Sequence, residues 1–354
     1  MATIRDVAER AGVSTATVSR ALNDRGYCSA GVRERVRAAA TALGYVPNAL
    51  ARGLKTRQSG LIGLVVPHLT DPFFTVVAQG VEDGASARGY QVLLGVGLGD
   101  PAREAAYLDL MLAHHVDGVL ISPARTPDQP LRRLVEAGTP AVVIDDVPSD
   151  PIVDSVRADN VGGARRLASH LLALGHRRIA LLNGRAGSTS GRERELGFRQ
   201  AFAAVGATLD ERLIRHGTWC ADDAAERATV LLREPDPPTA IVTASALISA
   251  GTLRALRAAG VRVPDDVALA SFDDIPFAGD IDPFLTAVVQ PAAAMSQLAV
   301  TMLLDRIGGA ESGAPREVVM PVAFEVRRSC GAPTAPWFDQ APFDAAGVEV
   351  LVAG

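Results

Sequence analysis

Short apolar runs of strand length alternate with segments of helical spacing from residue 61 onward, and this rhythm constrains the fold more than any other feature. Such alternation is typical of βαβ units, in which buried parallel strands lie between layers of helices. The strands are too many for one small sheet, so the pattern predicts an α/β core with two lobes of doubly wound parallel sheet. The predicted strands are 61–66, 90–96, 116–121, 141–144, 178–182, 240–242 and 267–270, and the predicted helices include 73–88, 101–113, 161–174, 193–205 and 246–259.

The first sixty residues follow a different pattern, which predicts three short helices. Thr3 and Asp6 have the spacing of a capping box at the start of the first helix. Gly12 provides a turn that needs a positive φ, and Ser14 can cap the second helix. A third helix is predicted over 29–44. The apolar stripe of the first helix consists of Ile4, Val7, Ala8 and Ala11.

Two short helices joined by a glycine turn and closed by a third helix are typical of a helix-turn-helix unit. The second helix of such a unit lies in the major groove of DNA. Arg20 on that helix suits a bidentate contact to guanine. An ordinary three-helix packing unit with a polar outer face would show the same pattern. The base-facing candidates are Thr15, Ala16, Ser19 and Arg20, and the phosphate-facing candidates are Thr3, Ser14, Thr17 and Asn23.

Charge is distributed unevenly along the chain. Residues 1–60 contain ten Lys and Arg against four Asp and Glu, whereas the remainder contains 25 against 36, within a net charge of −5. A basic N-terminal unit on an acidic body indicates that only the first unit meets a polyanion.

The run TIRDVAERAGVSTATVSRALN at 3–23 closely resembles the headpiece of the LacI/GalR family of bacterial repressors. The resemblance continues through 44–48 and 51–54, which look like the hinge helix of that family, and extends to about Arg328. It implies a periplasmic-binding-protein-like core behind the headpiece. It also implies a homodimeric repressor that binds a double-stranded, pseudo-palindromic operator under the control of a small effector, a sugar or related metabolite.

The segment 47–60 is expected to form the hinge helix and linker. Pro47 suits a first helical turn, but so short a helix is unstable in isolation. In the resembling family it folds when two copies pair in the DNA minor groove. Leu54 would then be the apolar wedge that kinks the duplex, with Asn48 and Ala51 on the same face. Leu54 packed on the core below is the alternative.

Ligands of doubly wound folds bind beyond the carboxyl ends of the strands, where this sequence places many polar residues. That chemistry suits a hydroxyl-rich effector. The resemblance aligns Arg192 with a ligand-clamping arginine of the family and Asp273 with its acidic partner. Plainer roles remain open, such as helix caps for the aspartates and core packing for Trp219. The candidate effector-binding residues are His68, Phe73, Phe74, Ser122, Asp145, Arg192, Trp219, Ser245, Asp273 and Gln290.

Ser245-Ala246 departs from the family pattern, because many members have Asn-Asp at this place. A strong hydrogen-bonding pair is therefore missing. An effector that is smaller, deoxygenated or not a sugar is the expectation that follows.

Two other protein classes are disfavoured. An enzyme would need a catalytic or phosphate-binding motif, but no Walker A, H-E-x-x-H, G-x-S-x-G or strand-linked G-x-G-x-x-G sequence occurs, so no catalytic residue or cofactor is expected. Cys28, Cys220 and Cys330 lack metal-ligand spacing, so no metal is expected either. A periplasmic solute receptor would need export, whereas the N-terminus lacks the apolar region of a signal peptide. A cytoplasmic protein without a membrane partner is expected.

Four segments are predicted from these observations. They are a helix-turn-helix headpiece at 1–46, a hinge helix and linker at 47–60, a two-lobed effector-binding and dimerisation core at 61–330, and a tail at 331–354. The tail has no heptad of leucines, which predicts no tetramerising coiled coil.

Overall fold

The computed structural model describes residues 2–22, 27–45, 59–123, 129–147, 152–275 and 284–333. The chain divides into two compact units, Met1–Ser59 and Gly60–Gly354. No helix of the described ranges combines the length and the apolar character needed to cross a bilayer.

The described part of the first unit contains the three predicted helices, α1 (Ile4–Ala11), α2 (Thr15–Leu22) and α3 (Ala30–Ala42). The capping box forms, because the Thr3 amide donates to Asp6 Oδ2 at 2.7 Å and the Asp6 amide donates to Thr3 Oγ1 at 3.4 Å. Gly12 ends α1 with φ 65°, a left-handed cap that glycine adopts without strain. The core of this unit is apolar and includes the fully buried Val7, Val18, Ala21 and Val36.

The first lobe of the second unit is a six-stranded sheet in the order β11-β5-β4-β3-β1-β2, with every neighbouring pair parallel. Its strands are β1 (Leu61–Val66), β2 (Gln91–Val96), β3 (Gly118–Ile121), β4 (Ala141–Ile144), β5 (Asp154–Ala158) and β11 (Glu317–Met320). Its helices are α4 (Pro72–Ser86), α5 (Pro101–Ala113), α6 (Gln129–Glu136) and α11 (Ala292–Ile307).

The second lobe is a six-stranded sheet in the order β12-β10-β9-β8-β6-β7, parallel except where β12 pairs antiparallel with β10. Its strands are β6 (Ile179–Leu182), β7 (Ile214–Arg215), β8 (Ala240–Thr243), β9 (Ala268–Phe272), β10 (Thr286–Val289) and β12 (Ala323–Glu325). Its helices are α7 (Asn160–Ala173), α8 (Thr189–Ala204), α9 (Ala221–Leu232) and α10 (Ala246–Ala258).

The chain passes between the lobes at three places in the described residues. It enters the second lobe between Ala158 and Asn160, returns to the first lobe after Val289, and crosses again after Met320. Strands β3, β4, β6 and β8 are buried along their whole length, as expected of parallel strands covered by helices on both faces. The crossings place the carboxyl ends of the two sheets opposite each other.

The seven predicted strands all occur, with ends that differ by up to two residues, and 141–144 and the helix 101–113 match to the residue. The strands β5, β7, β10, β11 and β12 and the helices α6, α9 and α11 were not in the predicted set. The antiparallel β12 lies at the edge of a sheet that is otherwise parallel, in line with the predicted core of parallel sheets. This strand contributes only three residues to the edge of its sheet, so it gives little pattern to read.

Candidate functional site

A cavity of roughly 580 Å³ lies between the two lobes, at the carboxyl ends of their strands. This volume includes space open to solvent, so the lining residues, not the size, indicate a ligand site. Nine of the ten candidate effector-binding residues line it, namely His68, Phe73, Phe74, Ser122, Asp145, Trp219, Ser245, Asp273 and Gln290.

Each lobe presents one aspartate to the cavity with the same backbone geometry. Asp145 follows β4 and Asp273 follows β9, and both have left-handed φ angles, 72° and 70°. The amide of each donates to a carbonyl of the next strand, Val156 at 2.9 Å and Val288 at 2.8 Å. A left-handed non-glycine residue costs about 1–3 kcal/mol, and such strain concentrates at functional sites.

Arg194 of α8 is the cation between these two carboxylates. Its side chain is 4% exposed, with Nη2 at 3.9 Å from Asp145 Oδ1 and Nη1 at 3.9 Å from Asp273 Oδ2. The guanidinium lies 3.8 Å from the centre of the Phe272 ring and 5.6 Å from that of Trp219. Cation–π contacts of this kind favour a buried guanidinium, so the aromatic rings help to hold the charge in place.

Arg192 does not line the cavity, which corrects the expectation that it clamps the effector. Its side chain is exposed and donates to the Gly187 carbonyl at 2.7 Å and to Thr189 Oγ1 at 2.9 Å. Residues i and i+2 of a helix are separated by about 200° around its axis, so Arg192 and Arg194 lie on nearly opposite faces of α8. Of these two arginines of α8, Arg194 lines the cavity.

Further cavity residues were not among the candidates. Asp71 caps α4, accepting from the Phe73 amide at 3.0 Å, and Asp146 accepts from the Ser190 amide of the other lobe at 3.0 Å. Arg185 donates across the lobes to the Gly99 carbonyl at 3.2 Å. Asp146 directly follows the candidate Asp145 at the exit of β4, and Asp71 lies two residues before the candidate Phe73. These positions in the sequence could have identified both aspartates.

The buried carboxylates have raised pKa values. Burial raises the pKa of Asp145 to about 8, although Arg194 opposes the shift. Burial and then the charge of Asp273 raise the pKa of Asp71 to about 7. Burial also raises the pKa of Asp273, again against Arg194. One buried guanidinium therefore serves several carboxyl groups, and each of them gains from a ligand that donates hydrogen bonds.

Three cavity atoms, Ser122 Oγ, Asp145 Oδ1 and Gln290 Oε1, are buried and have no hydrogen-bond partner among the described residues. Gln290 is oriented by its amide nitrogen, which donates to Asp273 Oδ1 at 2.8 Å. An unsatisfied buried polar group costs about 1–3 kcal/mol. Gln290 Oε1 can only accept, whereas the Asp145 carboxyl and the Ser122 hydroxyl can accept or donate, so the cavity favours a ligand rich in hydroxyl groups.

Aromatic side chains form much of the remaining wall. Phe73 and Phe74 meet edge to face, with centroids 5.0 Å apart. Trp219 is half-buried and packs on Gly184 so closely that an added Cβ would lie 2.2 Å from the indole ring. Ser245 caps α10 by accepting from the Ile248 amide at 3.3 Å, so a structural role accounts for its hydroxyl.

In the first unit, Thr15, Ala16 and Arg20 are exposed on α2, and Ser19 is half-buried. Arg20 Nε donates to the Ala16 carbonyl at 3.3 Å. Of the phosphate-facing candidates, Thr3 caps α1, while Ser14 and Thr17 share a hydrogen bond of 2.9 Å at the start of α2. The candidates Asn23, Asn48, Ala51 and Leu54 lie outside the described residues.

Family models match two parts of this chain, and known proteins resemble it over most of its length. The family model for bacterial regulatory proteins of the lacI family matches residues 3–48, and that for a periplasmic binding protein-like domain matches residues 168–330. The HTH-type transcriptional regulator CelR of Thermobifida fusca is 37% identical, over 92% of this chain and 98% of its own. The HTH-type transcriptional repressor PurR of Photobacterium profundum is 33% identical, over 87% of this chain and 92% of its own.

Two solved structures share the fold. A CelR–cellobiose complex has a TM-score of 0.70 at 35% identity and covers 93% of this chain and 100% of its own. A lac repressor dimer bound to operator and the anti-inducer ONPF has a TM-score of 0.81 at 30% identity, covering 94% of this chain and 99% of its own. These relatives are transcriptional regulators, not enzymes. The chain belongs to the LacI family of bacterial transcriptional regulators.

Proposed function

We propose that the protein binds a pseudo-palindromic operator as a homodimer and that a hydroxyl-rich small molecule in the inter-lobe cavity controls this binding. The observation that carries the proposal is the arrangement of Arg194 between Asp145 and Asp273, one from each lobe. A ligand that contacts these groups contacts both lobes at once. Its binding energy therefore depends on the angle between them, which is the physical requirement for an allosteric effector.

The DNA-binding role is assigned to the segment 1–46, and its hinge to 47–60. Exposure of Thr15, Ala16 and Arg20 on α2 supports base contacts, since these side chains are free of the apolar core of the unit. The solved lac repressor, similar to this chain, is a dimer on its operator. The phosphate-facing residues and the hinge residues Asn48, Ala51 and Leu54 complete the proposed DNA-binding set.

The effector-binding role is assigned to the core, 61–330, with Arg194 in place of Arg192. The unpartnered oxygens of Asp145 and Gln290 favour a ligand rich in hydroxyl groups, which can both donate and accept. The CelR structure holds cellobiose, so a β-linked glucose disaccharide is the first compound to test. Because Ser245 and Ala246 offer fewer polar groups than Asn-Asp, a monosaccharide or deoxy compound is the second. Operator binding also requires access to the chromosome, so we assign the protein to the cytoplasm.

Selection of genomic DNA fragments by the purified protein tests this function. We expect one pseudo-palindromic sequence, bound with an affinity that falls steeply as salt rises, because counterions are released from the phosphates. Cellobiose or a smaller saccharide should change that affinity. Equal binding to all fragments would refute the operator, and indifference to every saccharide would refute the effector class.

A further inference from the structure

The guanidinium of Arg194 is held by hydrogen bonds to residues that do not line the cavity. Its Nη atoms lie 3.9 Å from the cavity aspartates, beyond hydrogen-bond range, whereas Nε donates to Asn160 Oδ1 at 2.9 Å. Nη1 also donates to the Ala244 carbonyl at the end of β8. Asn160 is fully buried and is the first residue of α7. The side chain of Asn160 therefore sets the plane of the guanidinium that faces the cavity.

Asn160 is itself oriented by Glu193, the residue next to Arg194 on α8. Its Nδ2 donates to Glu193 Oε2 at 2.9 Å. The amide oxygen must face the arginine, because turning the amide over would set an N–H against another N–H. Its nitrogen then needs an acceptor, which the Glu193 carboxylate provides. The two contacts fix one orientation of this buried amide.

Glu193 connects this pair to the first lobe. Arg157 Nη1 lies 3.0 Å from Glu193 Oε1, and Arg157 Nε donates to Glu317 Oε1 at 2.6 Å. Arg157 lies on β5 and Glu317 on β11, both in the first lobe, whereas Glu193 lies in the second. The Arg157–Glu193 contact spans the lobes beside the crossing between Ala158 and Asn160. A continuous set of polar contacts thus runs from the first lobe to the cavity.

We propose that Asn160 and Glu193 are positioning residues for Arg194, and that the Arg157–Glu193 pair couples the position of its guanidinium to the angle between the lobes. The proposal deepens the proposed function, since it rests on Arg194 contacting the effector. Rotation of one lobe lengthens the Arg157–Glu193 contact, which frees Glu193 and then the amide of Asn160. The guanidinium loses its fixed plane, and the affinity of the cavity changes with the lobe angle.

Trp219 provides a reporter that needs no ligand. It lies 5.6 Å from the guanidinium of Arg194, and the chain has one other tryptophan, Trp337. In the full-length Trp337→Phe protein, the emission of Trp219 reports movement of that charge. Glu193→Gln is the test variant, because it removes the charge and keeps the shape.

Glu195→Gln is the matched control. Glu193 and Glu195 lie on the same helix and their side chains are both 19% exposed, but Glu195 pairs with Arg199 and His216 and makes no hydrogen bond to Asn160 in the described residues. Glutamine at position 195 keeps an oxygen that can accept from His216. We expect Glu193→Gln to shift Trp219 emission in the ligand-free protein and to weaken cellobiose binding about tenfold. Glu195→Gln should do neither.

Equal Trp219 emission in the two glutamine variants would overturn the proposal, whatever the saccharide result. Wild-type protein that binds no saccharide would instead count against the proposed effector, while the emission result still decides the positioning role. If Glu193→Gln fails to fold, Arg157→Gln acts from the other lobe, and unchanged emission there overturns the coupling. In a double-mutant cycle, additive effects of Arg157→Gln and Glu193→Gln would also contradict it.

Discussion

At the residue scale, the cavity depends on a few side chains whose backbone is unusual. Asp145 and Asp273 have left-handed φ angles that few non-glycine residues adopt. Both positions could be proposed from the sequence, because both follow apolar strand runs. The strain could not, since φ at a strand exit depends on the neighbouring strand, here through hydrogen bonds to Val156 and Val288.

The arginine shows a second limit of the sequence. Two arginines, Arg192 and Arg194, lie within one turn of the same helix, and the resemblance was placed on the wrong one for this cavity. Which of them faces inward depends on the rotation of α8, and that rotation is set by packing against α7. At Gly197, an added Cβ would lie 2.1 Å from the Val161 carbonyl, so the two helices meet there almost backbone to backbone.

Arg194→Lys is predicted to weaken cellobiose binding by about 10–100-fold. Lysine keeps the charge but lacks the planar guanidinium that donates to Asn160 and to the Ala244 carbonyl while it faces both aspartates, and a charged hydrogen bond contributes about 1.5–3 kcal/mol. Isothermal titration calorimetry measures the change. Arg192→Lys is the control and should bind as the wild type does; an equal loss in both variants would contradict the assignment.

Asp145→Asn is predicted to change the pH dependence of thermal unfolding. The pKa of Asp145 rises from 3.8 to about 8 on folding, so its contribution to stability is full below pH 4 and is lost as pH rises toward 8. Asparagine carries no charge and tolerates a left-handed φ. The Tm difference, variant minus wild type, should therefore grow by at least about 2 °C between pH 5 and pH 8. A difference that is constant with pH would contradict the burial of this carboxyl.

At the element scale, the helices and strands that the sequence predicts are the long or fully apolar ones. Strands β3, β4, β6 and β8 are buried throughout and are apolar, apart from Thr243 at the end of β8, so their composition is sufficient to predict them as strands. The sequence of β5 is Asp-Ser-Val-Arg-Ala, and these polar residues do not form the apolar run by which the other strands were predicted. Asp154 on this strand is buried because Arg306 and Arg316 pair with it at 2.6 and 2.7 Å, contacts that only the fold brings together.

Gly197→Ala is predicted to destabilise the core by about 1–3 kcal/mol, because the added methyl group forces α7 and α8 apart. Chemical denaturation with tryptophan emission measures the change. Gly187→Ala is the control, since no atom of a described residue other than its two chain neighbours lies within 4 Å of the added carbon, and its effect should stay within about 0.5 kcal/mol. Equal stability of the two variants would contradict the close helix contact.

At the scale of the whole molecule, the sequence pattern changes near residue 60, and the contacts divide the chain into two units at Ser59 and Gly60. The order of the strands within the two sheets was harder to predict from the sequence. The last two strands, β11 and β12, are neighbours in sequence but belong to different lobes, so their placement depends on the three crossings. The same crossings bring Arg157 beside Glu193 and the two aspartates around Arg194.

We propose that occupancy of the inter-lobe cavity controls operator binding by the helix-turn-helix unit. Fluorescence anisotropy of a labelled operator, taken from the genomic selection and titrated with protein at increasing cellobiose, tests it most directly. We expect saturating saccharide to change the operator Kd of the wild type by about 5–150-fold, and we expect Arg194→Lys to need far more saccharide for the same change. An operator Kd that stays constant while calorimetry shows the cavity filled would contradict it.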